Sequence, residues 1–413
     1  YGAVDLLVVG RFGSTSGLSG VSTGSQVLNL VTFVVTQLAM GITVLIARYL
    51  GEKKEEQIGS IIGGGTVVFA VISLVLFVVM VGFARPIAVL MQAPEEAVGL
   101  TAAYIRICGA GIFFIVAYNV LSAIFRGLGD SNSPLLFVFV ACIVNVVGDL
   151  VLVAGLGMDA MGAALATVFA QALSVVFAIV RLVKKGLPFT ITGYDFRWNP
   201  QCGKFLQIGL PLALQECLTQ GSFLALCAFV NRLGLEASSG YGVACKIVNF
   251  AMLIPSALMQ STSSFVSQNV GAGEQKRAKK TMFTGIGIGL LVGCFAFSLV
   301  FFRGDLLAGI FSADAAVVQR GYEYLKGFAP ETLLTAVLFS MMGYFNGNGK
   351  TVWVMLQGLI QTLLVRLPFA YYMSIQTDAS LTNIGLAAPI STAVGIVLNV
   401  AFFLYLEHAA KRS

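Results

Sequence analysis

Residues 135–155 read Leu-Leu-Phe-Val-Phe-Val-Ala-Cys-Ile-Val-Asn-Val-Val-Gly-Asp-Leu-Val-Leu-Val-Ala-Gly, an apolar run broken only by the amide of Asn145 and the carboxylate of Asp149. A helix of this length covers the ~30 Å hydrocarbon core of a bilayer. Ten more runs of the same kind, bounded by glycine, proline or charge, lie at about 24–47, 58–83, 103–125, 161–182, 205–230, 240–266, 282–302, 326–345, 352–375 and 384–406. The whole chain agrees: of its 413 residues 57% are hydrophobic and 11% charged, with a mean hydropathy of +0.89. Soluble domains carry about a quarter charged residues, so a water-soluble enzyme is excluded and an all-α polytopic membrane protein in a lipid bilayer is expected.

Charge placement sets the orientation. Of the 25 Lys and Arg, only Arg11, Arg85, Arg232, Arg303 and Arg320 fall in one alternating set of loops. Arg106, Lys246, Lys326 and Arg366 lie within or at the edge of spans, and the remaining sixteen (25 − 5 − 4) fill the opposite loops. Lys and Arg accumulate on the cytoplasmic side, so that set and the C-terminus are expected there, in a cell (inner) membrane. The net charge of +6 forms no continuous basic face, so no nucleic-acid partner is expected. The seven cysteines include no CxxC pair and the single histidine is His408, so neither a disulfide frame nor a histidine-based metal centre is expected. Gly347-Asn-Gly-Lys350-Thr351 resembles the end of a phosphate-binding loop, but Tyr344 stands where an earlier glycine is needed. No ATP-binding or other cofactor role, and no enzyme activity, is expected.

The sequence repeats on itself at a shift of about 220 residues. Gly10-Arg11-Phe12-Gly13 meets Asn231-Arg232-Leu233-Gly234, and Val27-Leu28-Asn29 meets Ile247-Val248-Asn249. Tyr104-Ile105-Arg106 meets Tyr324-Leu325-Lys326, and Phe125 to Gly129 meets Phe345 to Gly349. Residues 1–12 match 222–233, so about 17 residues of a first span are expected to precede Tyr1. Counting that truncated helix, the pattern predicts twelve transmembrane helices in two pseudo-two-fold related six-helix bundles, 1–185 and 205–413, joined by a basic cytoplasmic linker over 186–204.

Ionisable groups inside apolar runs are costly and point to function. Asp5 lies in the first helix, and Asn145 and Asp149, four residues apart, share a helix face. Thr167 on the next span and Tyr104 on the fourth complete a small polar cluster with the composition of a proton or sodium site. The alternative is that Asp149, near the end of its span, is hydrated and Asn145 bonds a neighbouring helix. The second half has no aspartates at the matching places and carries Glu216, Lys246, Glu331, Lys326 and Arg366 instead. Arg366 sits almost at the repeat position of Asn145 and requires an acidic partner, Glu331 or Glu216. Either a fixed ion pair or a substrate or gating role would account for it.

Asp5-x4-Gly10-Arg11 with Gly13, the turn Arg126-Gly-x-Gly-Asp130, the pair Asn145-x3-Asp149 and the two six-helix halves resemble the multidrug and toxic compound extrusion (MATE) family. Gln268-Asn269-x-Gly271 and Asn346-Gly-x-Gly349 strengthen the resemblance, which covers essentially the whole chain. It implies a monomeric secondary antiporter that exports organic, often cationic and amphipathic small molecules in exchange for H+ or Na+, with no cofactor. It also implies a cation site at Asp5, Tyr104, Asn145, Asp149 and Thr167, the same residues that form the polar cluster, and alternating access by rocking of the two bundles. Another branch of the family uses acidic residues on the seventh and tenth helices, where Glu216 and Glu331 lie. A lipid-linked precursor flippase or polysaccharide exporter of the same architecture is the alternative, with Lys246, Lys326 and Arg366 as its cations.

Overall fold

A computed structural model describes residues 2–91, 93–185, 192–312 and 314–410; residues 186–191 of the expected linker lie outside the described residues. Among the described residues there are helices and no strands. The first half holds α1 (Gly2–Phe12), α2 (Thr15–Gly51), α3 (Ile58–Gly82), α4 (Ala84–Leu90), α5 (Val98–Ala110), α6 (Ile112–Gly127), α7 (Asn132–Asp149) and α8 (Asp159–Lys185). A π-helical stretch, Leu150–Gly155, continues α7. Next come α9 (Pro200–Asn231), α10 (Leu235–Gly271), α11 (Gln275–Phe311), α12 (Ala315–Phe328) and α13 (Glu331–Gly347). The chain ends with α14 (Thr351–Leu359), a π stretch over Ile360–Arg366, α15 (Leu367–Ser374), α16 (Leu381–Gly385) and α17 (Ala387–Ala410).

Nine continuous helical stretches among the described residues are long and apolar enough to cross a membrane. Two bent pairs, α5 with α6 and α12 with α13, pass the same test together at bends of 53° and 47°. These eleven units coincide with the eleven apolar runs. The bends have local causes. Pro330 has no N–H for the carbonyl four residues back, and Thr332 Oγ1 donates to the Ala329 carbonyl at 2.8 Å. The other break falls at Gly111, where any side chain would collide with Val168 of α8.

Packing reproduces the repeat. Helices α2 and α10 each have 37 residues and begin at Thr15 and Leu235, 220 positions apart. Gly127 lies against the Thr43 carbonyl and Ile46, and Gly347 lies against the Ser263 carbonyl and Val266, each residue again 220 from its counterpart. Membrane helices associate through such small residues, because lipid offers no hydrophobic drive for one helix to leave it for another. The turns that follow place Gly129 at φ 79° and Gly349 at φ 73°, a conformation that favours glycine.

The chain forms two compact units, Tyr1–Ala213 and Leu214–Ser413. The first is built around Val21, Ile42, Ile46, Phe69, Ile105 and Phe205, and the second around Tyr241, Val248, Tyr324, Leu325, Phe328 and Ile384. The first turns of α9 belong to the first unit because Gly41 and Gly209 let α2 and α9 meet backbone to backbone; a methyl group at either would collide with the Phe205 or Leu38 carbonyl. The described end of the linker is anchored to the same unit. Ser60 Oγ donates to Asp195 Oδ1 at 2.8 Å, and Tyr49 Oη donates to Gln201 Oε1 at 2.8 Å. Large apolar side chains such as Val71, Leu74, Val75 and Val78 of α3 remain exposed on the outside, the face that lipid covers.

Candidate functional site

In the first unit, α1, α5, α7 and α8 carry the polar residues of the cluster. Regular helix up to Asp149 places Asn145 and Asp149 one turn apart on the buried face of α7. Helix α8 packs along α7 and turns Thr167 toward them. Asp5, Asn145 and Asp149 are completely buried, and Tyr104 and Thr167 nearly so. Asn145 Nδ2 donates to Thr167 Oγ1 at 3.3 Å, and Thr167 Oγ1 donates to Asp5 Oδ2 at 3.1 Å. That chain of bonds fixes the hydroxyl and points the Asn145 oxygen away from it.

Four acceptor oxygens are left without a donor: Asp5 Oδ1, Asn145 Oδ1 and both oxygens of Asp149. The neighbour of the Asp149 carboxyl is the Asp5 carboxyl, and the two can hydrogen-bond only with a proton between them. No Lys or Arg forms an ion pair with either among the described residues. Holding two bare carboxylates together out of water costs several kcal/mol per ion. The arrangement therefore suits a small cation that the protein does not itself supply, either a proton shared by the pair or a hard monovalent ion ligated by oxygen.

Tyr104 shares a cavity wall with Asp5 and lies one helical turn before Cys108. Its ring packs on α2 at Gly24, where a Cβ would lie 2.5 Å from Tyr104 Cδ1. Asp5, Tyr104 and Thr167 line a cavity of about 180 Å³ whose other polar walls include Asn29, Asn119 and Gln171. Thr36 Oγ1 donates to Asn119 Oδ1 at 2.7 Å, whereas buried Gln171 Oε1 has no donor. These three amides are absent from the sequence-based cluster. Gln171 had a usable signal, since it lies one helical turn beyond Thr167.

In the second unit, Glu331 is buried at the start of α13 and Arg366 at the end of the second π stretch. Thr392 Oγ1 donates to Glu331 Oε1 at 2.8 Å and Gln361 Nε2 donates to Thr392 Oγ1 at 3.0 Å. Arg366 Nε donates to Ser391 Oγ at 3.3 Å, and its guanidinium lies 5.6 Å from the Phe223 ring centroid. Arg366 and Glu331 are thus held by adjacent residues of α17, Ser391 and Thr392. Glu216 is half-buried and accepts from Gln220 Nε2 at 2.7 Å. Lys246 of α10 is exposed, with Nζ 5.7 Å from the Phe311 ring centroid. Lys326 is exposed as well.

The helical architecture and the eleven membrane-length units among the described residues define a multi-pass membrane protein. The chain belongs to the MatE family, whose model matches residues 1–151 and 211–372. It is 23% identical over 415 residues to "Probable multidrug resistance protein YoeA" of Bacillus subtilis (strain 168), covering 98% of this chain and 89% of that one. It is 25% identical over 371 residues to "Multidrug export protein MepA" of Staphylococcus aureus (strain NCTC 8325 / PS 47), covering 87% and 81%. The fold matches a solved structure described as "Outward-facing conformation of a multidrug resistance MATE family transporter of the MOP superfamily". The TM-score is 0.93 at 21% identity, over 99% of this chain and 92% of that one.

Proposed function

We propose that this transporter is a secondary antiporter that exports amphipathic organic compounds, including cationic ones, in exchange for H+ or Na+. The observation that carries the reading is the Asp5 and Asp149 pair, buried together, with oxygens that meet no donor and form no ion pair with Lys or Arg among the described residues. A site that must be charge-balanced from outside is one that an ion gradient can load and unload. The names of the relatives support multidrug export as the transport direction and substrate class. The bias of basic residues supports a cell (inner) membrane location with the C-terminus in the cytoplasm.

In the proposed cycle, cation binding at Asp5 and Asp149 favours the state that releases substrate outside, and substrate binding inside favours the state that releases the cation. Linkage requires each ligand to weaken the other by the same factor. The flippase reading requires free cations facing its substrate. Lys246 and Lys326, both exposed, would serve it, whereas buried Arg366 donates to Ser391; the names of the relatives favour drug export instead. The test is efflux from proteoliposomes under separate proton and sodium gradients. Asp5→Asn with Asp149→Asn should abolish gradient-driven efflux, and unchanged efflux would rule out the pair as the coupling site.

A further inference from the structure

Just before α9 the linker reads Gly193-Tyr194-Asp195-Phe196-Arg197-Trp198-Asn199. Two of its polar side chains turn toward the protein. Ser60 Oγ donates to Asp195 Oδ1 and the Thr192 backbone N–H donates to Asp195 Oδ2, both at 2.8 Å, and Asn199 Nδ2 donates to the Ser60 carbonyl at 2.8 Å. The rings between them turn away from it: Tyr194 is 80% exposed, Phe196 49% and Trp198 67%. Three large rings within five residues form an apolar patch that a surface facing only water does not favour.

The segment lies beside the beginning of a membrane span. A side chain at Gly63 would collide with the Asp195 backbone, and one at Gly64 with Asn199. Gly63 is five residues inside α3, which at 1.5 Å per residue is about 7–8 Å along the helix from Ile58. Residues 195–199 are therefore level with the first turns of an apolar helix and not clear of the bilayer. Tyrosine and tryptophan, each with an apolar body and a polar tip, concentrate at that level in membrane proteins.

The charges fit the same place. Asp195 is the one acid between Lys184 and Lys204, and its carboxylate is turned inward. Arg197 is exposed, with its guanidinium 5.9 Å from the Tyr194 ring centroid, and forms no ion pair among the described residues. A planar guanidinium on an exposed surface suits a phosphate group.

We propose that residues 194–198 are an interfacial anchor: Tyr194, Phe196 and Trp198 sit in the headgroup layer of the bilayer and Arg197 lies among its phosphates. Asp195 and Asn199 hold the other side of the segment to α3. The described end of the linker is then pinned between a span and the lipid, and its occupant is the bilayer itself, not a second protein.

Tryptophan emission tests this directly, because the chain has two tryptophans, Trp198 and Trp353. The difference between wild type and Trp198→Phe isolates Trp198 in the full chain reconstituted in phosphatidylcholine and phosphatidylglycerol vesicles. Its emission should be blue-shifted from that of tryptophan in water. It should lose most of its intensity to lipids brominated just below the headgroup, less to lipids brominated near the chain ends, and less to aqueous iodide than free tryptophan amide does. Emission that iodide quenches as fully as the free amide, or that no brominated lipid touches, would overturn the proposal and leave the rings to water or to a protein partner. Strongest quenching by the deep bromines would overturn it as well, because it places the ring in hydrocarbon. If Trp198→Phe does not accumulate, Trp353→Phe gives the same reading with Trp198 as the single tryptophan. Trp353 stacks on Phe402 with centroids 4.1 Å apart, a contact that phenylalanine keeps.

Discussion

Thr167→Val probes the first-unit site with least disturbance, because valine keeps the shape and removes only the hydroxyl. That hydroxyl accepts from Asn145 Nδ2 at 3.3 Å and donates to Asp5 Oδ2 at 3.1 Å. The first bond is long and between neutral groups, so the second, to a carboxylate, carries most of the effect, about 1.5–3 kcal/mol. At 1.4 kcal/mol per decade this is roughly a 10- to 100-fold change in cation affinity. Its sign depends on the ion. A proton neutralises the carboxylate, so loss of a donor that favoured the ionised form should make the site hold the proton more tightly. Sodium leaves the carboxylate ionised and loses an oxygen and the anchor of Asn145, so it should bind more weakly. The assay is efflux from proteoliposomes as a function of driving-ion concentration, with Thr167→Ser as the control that keeps the hydroxyl and behaves as wild type. A half-saturating concentration within about twofold of wild type for both ions would refute the hydrogen-bond chain as part of the cation site.

Two further outcomes follow from the geometry. Gly24→Ala places a methyl group 2.5 Å from Tyr104 Cδ1 on a fully packed ring, so thermal melting should register a loss of about 1–3 kcal/mol, accompanied by impaired efflux. An alanine that melts like wild type would show that the ring moves away freely. Asp195 lies outside the spanning helices, and the Thr192 backbone N–H, followed by the Ser60 hydroxyl, holds its carboxyl below the usual range. A carboxyl lowered on folding stabilises the docked linker above its unfolded value, and that contribution disappears as pH falls through the folded one. Protease cutting of the linker should therefore be flat at neutral pH and rise only in acid, and Ser60→Ala should move the rise to higher pH.

The sequence made the spans legible because a bilayer admits few structures. Each helix must bury its own backbone polar groups, so apolar length alone locates it. Asp5, Asn145, Asp149 and Thr167 were legible for the converse reason: a carboxylate in such a run is conspicuous, and spacing by four places two side chains on one face. Asn29 and Asn119 were not legible, because a neutral amide in a membrane helix is as readily satisfied by its own backbone as by a site. Asn119 does both, donating to the Ile115 carbonyl while accepting from Thr36. The bends at Gly111 and Pro330 lay inside runs that read as single spans, since hydropathy carries no directional information. Nor does hydropathy show that the first turns of α9 pack with the first unit. That follows from glycines on two helices meeting in space, Gly41 and Gly209, which are far apart in the chain.

Buried carboxyls in both halves, Asp5 and Asp149 in one and Glu331 in the other, also bear on how the protein tolerates its polar interior. A buried carboxyl pair is unstable without a counterion, and a buried ion pair is at best neutral against an apolar replacement. In the second unit Glu331 and Arg366 are each held by hydrogen bonds from one helix, Glu331 by Thr392, which Gln361 backs, and Arg366 by Ser391. In the first, four oxygens meet no donor among the described residues, and the proposed exchangeable cation would balance them. Replacing Asp5 or Asp149 with a neutral residue should therefore relieve the fold while disabling exchange. Replacing Arg366 should strain the fold even where exchange survives, so stability and transport are expected to respond in opposite order in the two halves.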